Sequence, residues 1–470
     1  MTTEPVLTSL PTAEPGAAST RPRPHRGSRW IQDWRPENAD FWHTTGRAVA
    51  RRNLFWSIFA EFLGFVVWQL WSIVVVMLPA AGFTLTTAQS FWLISLPSLV
   101  GATLRFPYTF MVARFGGRNW TIVSASLLLV PTVLLSVVVA HPETPFGVLL
   151  AVAGLAGLGG GNFASSMANI TYFFPHREKG WALGLNAAGG NIGTAVAQLL
   201  VPVVVSLTAA TAVGISIAGW IWIPLILVAV WGAWRHMDNL STATSDLPAS
   251  LAALREPHLW LLALLYIGTF GSFIGFAGVF PKLIADEFPA FSSFRIGQAA
   301  LSLAFLGALV GSLARPYGGR LADRFGGARI TLIAFGVMAL GALALILVAP
   351  AGGFWAFLCC FLLLFAATGI GNGSTYRMIP SVFAARVRVR GTDPVRDAAA
   401  ARTSSAALGI ISAIGAYGGF VIPQLLSASK SATGDYTSAF WGFVAVYALL
   451  MVITAMAYAV PRAALGRQRI

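Results

Sequence analysis

Charge is what this 470-residue chain lacks: only 10% of its residues are Asp, Glu, Lys or Arg, against about a quarter in an average soluble domain. With 56% hydrophobic residues and a mean hydropathy of +0.73, that shortage excludes an ordinary soluble protein. Cysteine is nearly absent. Cys359 and Cys360 are adjacent in an apolar run, which excludes a disulfide framework and a cysteine metal cluster and leaves them as small apolar filler. The six histidines (His25, His43, His141, His176, His236, His258) lie in the tail, in loops or at helix ends. No His-Glu-x-x-His or paired-acid site exists, so neither an enzyme nor a bound metal or cofactor is expected. The first 52 residues hold no apolar core of the kind a cleavable signal needs. Rich in Pro, Arg and Ser, this tail is expected to be disordered as far as Trp30, with the aromatic residues beyond it resting on the membrane surface.

Long apolar runs are what the chain has instead, and about 20 apolar residues suffice to cross a bilayer core of about 30 Å. They fall at about 53–79, 87–113, 119–140, 145–174, 180–207, 213–234, 258–282, 295–318, 328–349, 353–380, 403–427 and 437–460. The expected fold class is therefore an all-α polytopic membrane protein with twelve spans. The basic residues set its sidedness. The tail through Arg52, every second loop and the tail from Arg462 onward hold 26 of the 31 Lys and Arg, whereas the opposite loops offer only Lys282, Arg295 and Lys430. Positive charge stays inside, so both termini read as cytoplasmic. The charge of +14 and pI near 10.7 then need no nucleic-acid partner.

Arg105 and Arg315 remain, inside the membrane. Each is followed nine positions later by Arg-Phe-Gly-Gly (114–117 and 324–327), and the same offset of 210 superposes Gly161-Asn162 on Gly371-Asn372. The chain thus reads as a cytoplasmic tail 1–52, a six-helix bundle 53–234, a cytoplasmic linker 235–257, a second bundle 258–460 and a cytoplasmic tail 461–470. Parallel repeats of this kind put a substrate site near the midplane where the halves meet.

At 1.5 Å per residue each of these arginines lies about 13 Å from its loop arginine, near mid-membrane. A charge there costs at least about 2.5–3.5 kcal/mol on insertion scales and marks function by default. Glu61 is the one acid at that depth, and one carboxylate does not neutralise two guanidiniums. The excess charge asks for an anion, and a planar fork of donors suits a small oxyanion. Tyr266, Phe270, Phe163 and Asn191 fall at similar depth, the rings able to clamp a flat guest, and Gly-rich runs at 157–161, 184–193 and 409–419 let helices approach closely.

The stretch Gly319-Arg320-Leu321-Ala322-Asp323-Arg324-Phe325-Gly326 resembles the loop signature of the major facilitator superfamily, which would make Gly319, Asp323 and Arg324 a gating loop. In the first half Thr109 and Ala113 replace the Gly and Asp. The strings GGGNFASSMANITYFFP (159–175), GLNAAGGNIG (184–193), YIGTFGSFIGF (266–276), GIGNGSTYRMIP (369–380) and AIGAYGGFVIP (413–423) resemble the nitrate/nitrite porter family of that superfamily. The resemblance covers about residues 53–460 and implies two pseudo-symmetric six-helix bundles in a bacterial plasma membrane, carrying nitrate and nitrite by alternating access as a functional monomer. It implies an anion held by Arg105 and Arg315 with Asn191 and Tyr266, walls at Phe163 and Phe270, and signature glycines at Gly189, Gly190, Gly193, Gly415, Gly418 and Gly419. Glu61 is the candidate for proton coupling. Nitrate/proton symport and nitrate/nitrite exchange both stay open, as do a carrier of another small anion and a transporter-like nitrate sensor.

Overall fold

A computed structural model describes residues 29–209, 213–243, 247–348, 353–390 and 394–460. The expected disordered tail before residue 29, the cytoplasmic tail 461–470 and residues 244–246 of the linker lie outside them. Among the described residues twelve long helical elements follow in chain order, with a short helix Leu247–Leu254 in the linker between the sixth and seventh: α1 (Ala39–Met77), α2 (Thr87–Phe115), α3 (Gly117–Val138), α4 (Phe146–Phe173), α5 (His176–Thr208), α6 (Gly214–His236), α7 (Pro257–Glu287), α8 (Phe305–Phe325), α9 (Gly327–Val348), α10 (Phe354–Arg390), α11 (Pro394–Ala416, continuing as Gly418–Thr433) and α12 (Thr437–Ala459). Among the described residues ten helices are long and apolar enough to cross a membrane. Those that fall short are α2 and α8, the two that carry Arg105 and Arg315.

Burial is inverted relative to a soluble protein. Leu347 and Met456 are 68% and 69% exposed while Arg105, Glu61 and Asn191 are fully enclosed, as expected where lipid faces the outer side chains and polar and charged ones turn to the bundle interior. Small residues bring the repeat-equivalent helices together. A side chain on Gly157 of α4 would meet the backbone N of Gly101 on α2 at 2.8 Å, and one on Gly369 of α10 would meet the carbonyl of Gly311 on α8 at 2.3 Å. Both Arg-Phe-Gly-Gly motifs end a helix in the same way. Gly116 and Gly326 take φ of 86° and 95°, a region open to Gly at little cost, and their N–H groups close onto Val112 and Ala322.

Two sequence expectations differ from the structure. The span expected at 295–318 begins later and ends later. Phe294–Ile296 (β3) and Ala299–Leu301 (β4) form an antiparallel hairpin turned at Gly297, φ 62°, and α8 runs to Phe325 because a helix end at the interface tolerates its Arg and Asp residues. The aromatic residues after Trp30 pack into the protein rather than resting on the membrane surface. Trp30–Ile31 (β1) pairs in parallel with Asn239–Leu240 (β2), and Trp34 lies between Phe41 and Phe173. Trp42, fully buried, donates its indole N–H to Glu178 at 2.9 Å. A buried indole wants such an acceptor, and α1 accordingly starts at Ala39, inside the expected tail, with Asn38 capping Phe41 N.

Candidate functional site

Arg105 reaches inward from α2. Its Nε donates to the carbonyl of Gly160 on α4 at 3.1 Å and its Nη1 to the carbonyl of Ser412 on α11 at 3.0 Å, leaving Nη2 buried without a partner. Arg315 reaches in from α8, donating Nη2 to the Tyr266 hydroxyl on α7 at 3.4 Å, and its Nη1 also lacks a partner. A buried donor left unpaired costs about 1–3 kcal/mol, more when charged, so these two nitrogens mark where a ligand would be held.

The two guanidiniums share a pair of rings. Phe163 and Phe270 stack with centroids 6.2 Å apart. Arg105 lies 4.5 and 5.2 Å from their centroids and Arg315 lies 5.6 and 5.9 Å from them. Ring faces attract cations and tolerate two like charges in one enclosed space. Tyr266 stacks on Phe270 at 5.3 Å, immediately before the π-helical turn Ile267–Gly271, a distortion frequent at functional sites.

The structure thus brings together Arg105, Arg315, Tyr266, Phe163 and Phe270. Asn191 on α5 is fully buried with both amide atoms unpartnered. The signature glycines sit at helix contacts. Added side chains would meet Ile58 at Gly189, Glu61 at Gly190, the Phe62 carbonyl at Gly193, Tyr266 at Gly415, Gly271 at Gly418 and Ser98 at Gly419. Glu61 is fully buried. Asn186 Nδ2 donates to its Oε2 and to Ser166 Oγ, while Oε1 has no partner. No arginine comes within ion-pair distance of Glu61 among the described residues, although both site arginines are in electrostatic reach. The loop residues stand apart from this cluster: Asp323 accepts from Arg377 Nε, Arg324 lies over Phe325 at 5.1 Å, and Gly319 faces the Gly373 carbonyl.

Sequence reasoning missed four contributors. Trp68 and Tyr376 add ring faces at 5.2 Å from Arg105 and 5.6 Å from Arg315, Ser412 takes a guanidinium hydrogen bond, and Asn186 holds Glu61. Asn186 and Tyr376 carried a signal, standing inside the quoted strings 184–193 and 369–380, whereas Trp68 and Ser412 lie outside all five.

Comparison with known proteins agrees with this architecture. A family model described as Major Facilitator Superfamily matches residues 14–392. The nitrate/nitrite transporter NarU of Salmonella typhimurium is 43% identical over 449 residues, covering 91% of this chain and 96% of the relative. NarU of Escherichia coli is 42% identical, over 92% and 97% of the two chains. The probable nitrate/nitrite antiporter NarK2 of Thermus thermophilus is 35% identical, over 89% and 94%. Among solved structures the nucleoside transporter NupG superposes with a TM-score of 0.58 at 12% identity, covering 86% of this chain and 98% of that one, a likeness of fold.

Proposed function

The chain belongs to the nitrate/nitrite porter family of the major facilitator superfamily, and from that premise we propose that it carries nitrate and nitrite across the plasma membrane by alternating access, the anion held between Arg105 and Arg315. The observation that carries this reading is the pair of enclosed guanidiniums, each with one free nitrogen, over a shared pair of rings. A planar oxyanion of charge −1 accepts from both forks and lies flat against Phe163 and Phe270. Such an anion also offsets the positive charge that makes the empty site reluctant to reorient through apolar surroundings.

In this reading the halves 53–234 and 258–460 rock about the arginines, the basic loops and both termini face the cytoplasm, and one chain forms the working unit. Asn191 supplies a further hydrogen bond to the anion, the signature glycines set how closely α5 and α11 approach it, and the Asp323–Arg377 contact beside Gly319 and Arg324 belongs to the cytoplasmic gate. The unpartnered oxygen of Glu61 favours proton coupling over strict exchange, because a carboxyl that gains and loses a proton changes the charge of the empty site.

The test is uptake of labelled nitrate into proteoliposomes, first loaded with nitrite, then free of nitrite with an inward proton gradient. Uptake under the first condition supports the carrier and uptake under the second supports symport. Indifference to both would sink the reading.

A further inference from the structure

The two halves match at a second place, at a different offset from the arginine motifs. Glu61 and Phe65 on α1 stand 205 residues before Tyr266 and Phe270 on α7. Gly190 and Gly193 on α5 stand 225 residues before Gly415 and Gly418 on α11. The contacts repeat too. A Cβ on Gly190 would lie 2.4 Å from Glu61 Oε1, and one on Gly415 would lie 2.3 Å from Tyr266 Cδ1. Gly193 backs onto the Phe62 carbonyl and Phe65, and Gly418 backs onto Gly271. Phe65 and Phe270 each hold their ring 6.2 Å from Phe163. Glu61 therefore occupies in the first half the glycine notch that Tyr266 occupies in the second.

We infer that Glu61 is a direct ligand of the carried anion, the first-half counterpart of Tyr266, donating a hydrogen bond from a protonated Oε1 while Asn186 positions its other oxygen. This rests on the anion-carrier reading above. The Tyr266 hydroxyl oxygen accepts from Arg315 Nη2 and keeps its O–H for the anion, and a carboxyl brings an O–H only when protonated, since an ionised carboxylate is acceptor-only and would repel the anion. The step balances simply. A proton from water bonds to Oε1, the O–H donates to an anion oxygen, and on the far side the O–H bond breaks, leaving its electron pair on Oε1 and returning the proton to water.

The groups facing Glu61 fit this role. Among the described residues, Arg105 on α2 and Arg315 on α8 supply positive charge within reach, Tyr376 on α10 is a further titratable neighbour, and Asn186 on α5 and Ser166 on α4 are neutral. Asn186 and Asn191 lie on one stretch of α5.

The experiment is nitrate binding by the purified full chain between pH 5.5 and 8.5, with nitrate/nitrite exchange measured alongside at equal pH on both sides. Wild type should lose affinity by about tenfold per pH unit above its midpoint, as expected for one linked proton. Glu61→Gln, near-isosteric and able to donate through its amide, should bind within about threefold of wild type at low pH and show no slope. Glu61→Ala should bind at least about tenfold more weakly, also without slope. Asn186→Ala should weaken low-pH binding less than Glu61→Ala does and should shift the midpoint, which a packing role alone would not do. Wild-type affinity and slope in Glu61→Ala would overturn this inference and leave the carrier reading intact. Failure of wild type itself to bind nitrate at any pH would overturn both.

Discussion

Arg105 donates to the main-chain oxygen of Ser412 at 3.0 Å, a bond that crosses 307 positions of sequence and ties α2 to α11. The same guanidinium is anchored within its own half by the Gly160 carbonyl. One side chain therefore joins the two halves while presenting a free nitrogen between them, and any parting of α2 from α11 must break or replace this bond.

Lysine cannot reproduce that arrangement. Its ammonium is a point charge without the planar fork that serves Gly160, Ser412 and a ligand at once. Arg105→Lys and Arg315→Lys should each weaken nitrate binding by at least about tenfold, about 1.4 kcal/mol. The check is binding and counterflow at matched protein levels, and wild-type values in both variants would count against the site.

The stacked rings predict selectivity by shape. Nitrite should compete with nitrate, whereas tetrahedral sulfate and phosphate, thicker than the slot and costlier to dehydrate, should compete weakly. Phe163→Ala removes a ring face from both arginines, a loss of about 0.5–2 kcal/mol for each cation–ring contact, and should narrow the preference for nitrate over sulfate. Sulfate inhibiting wild type at the same concentration as nitrite would refute the slot.

Glycine substitutions should separate packing from accident. A methyl on Gly418 would lie 2.4 Å from Gly271 Cα, a backbone atom that cannot swing away, whereas Gly184 on α5 has open space around it. Gly418→Ala should lose most transport or folded protein, a cost of about 1–3 kcal/mol for overpacking, and Gly184→Ala should behave as wild type. Counterflow together with gel-filtration yield decides it.

Trp42 predicts a stability effect remote from the anion. Trp42→Phe keeps most of the buried ring but strands Glu178 without its indole donor, which should cost about 1 kcal/mol and lower the thermal midpoint by about 1 °C, leaving anion affinity unchanged. An unchanged midpoint would show that this contact adds nothing to the fold.

The spans, the repeat and the two arginines were legible in the sequence because each is a departure from its surroundings. An apolar run needs no partner to be recognised, and a guanidinium inside such a run is costly wherever the helices go. Tertiary structure alone decided what closes around those arginines. Ser412, Tyr376 and Asn186 are neutral side chains among many, and nothing in their local sequence says which helix they will face. It also decided that Trp34 and Trp42 lie buried against Phe173 of α4 and Glu178 of α5, because a Trp-rich segment is equally compatible with an interface and with a core until an acceptor such as Glu178 is in place. The kinship of Glu61 with Tyr266 was hidden for a simpler reason. It runs at an offset of 205, that of the glycines at 225 and that of the arginines at 210, so loops of unequal length break the register, and only packing against the same kind of glycine notch restores it.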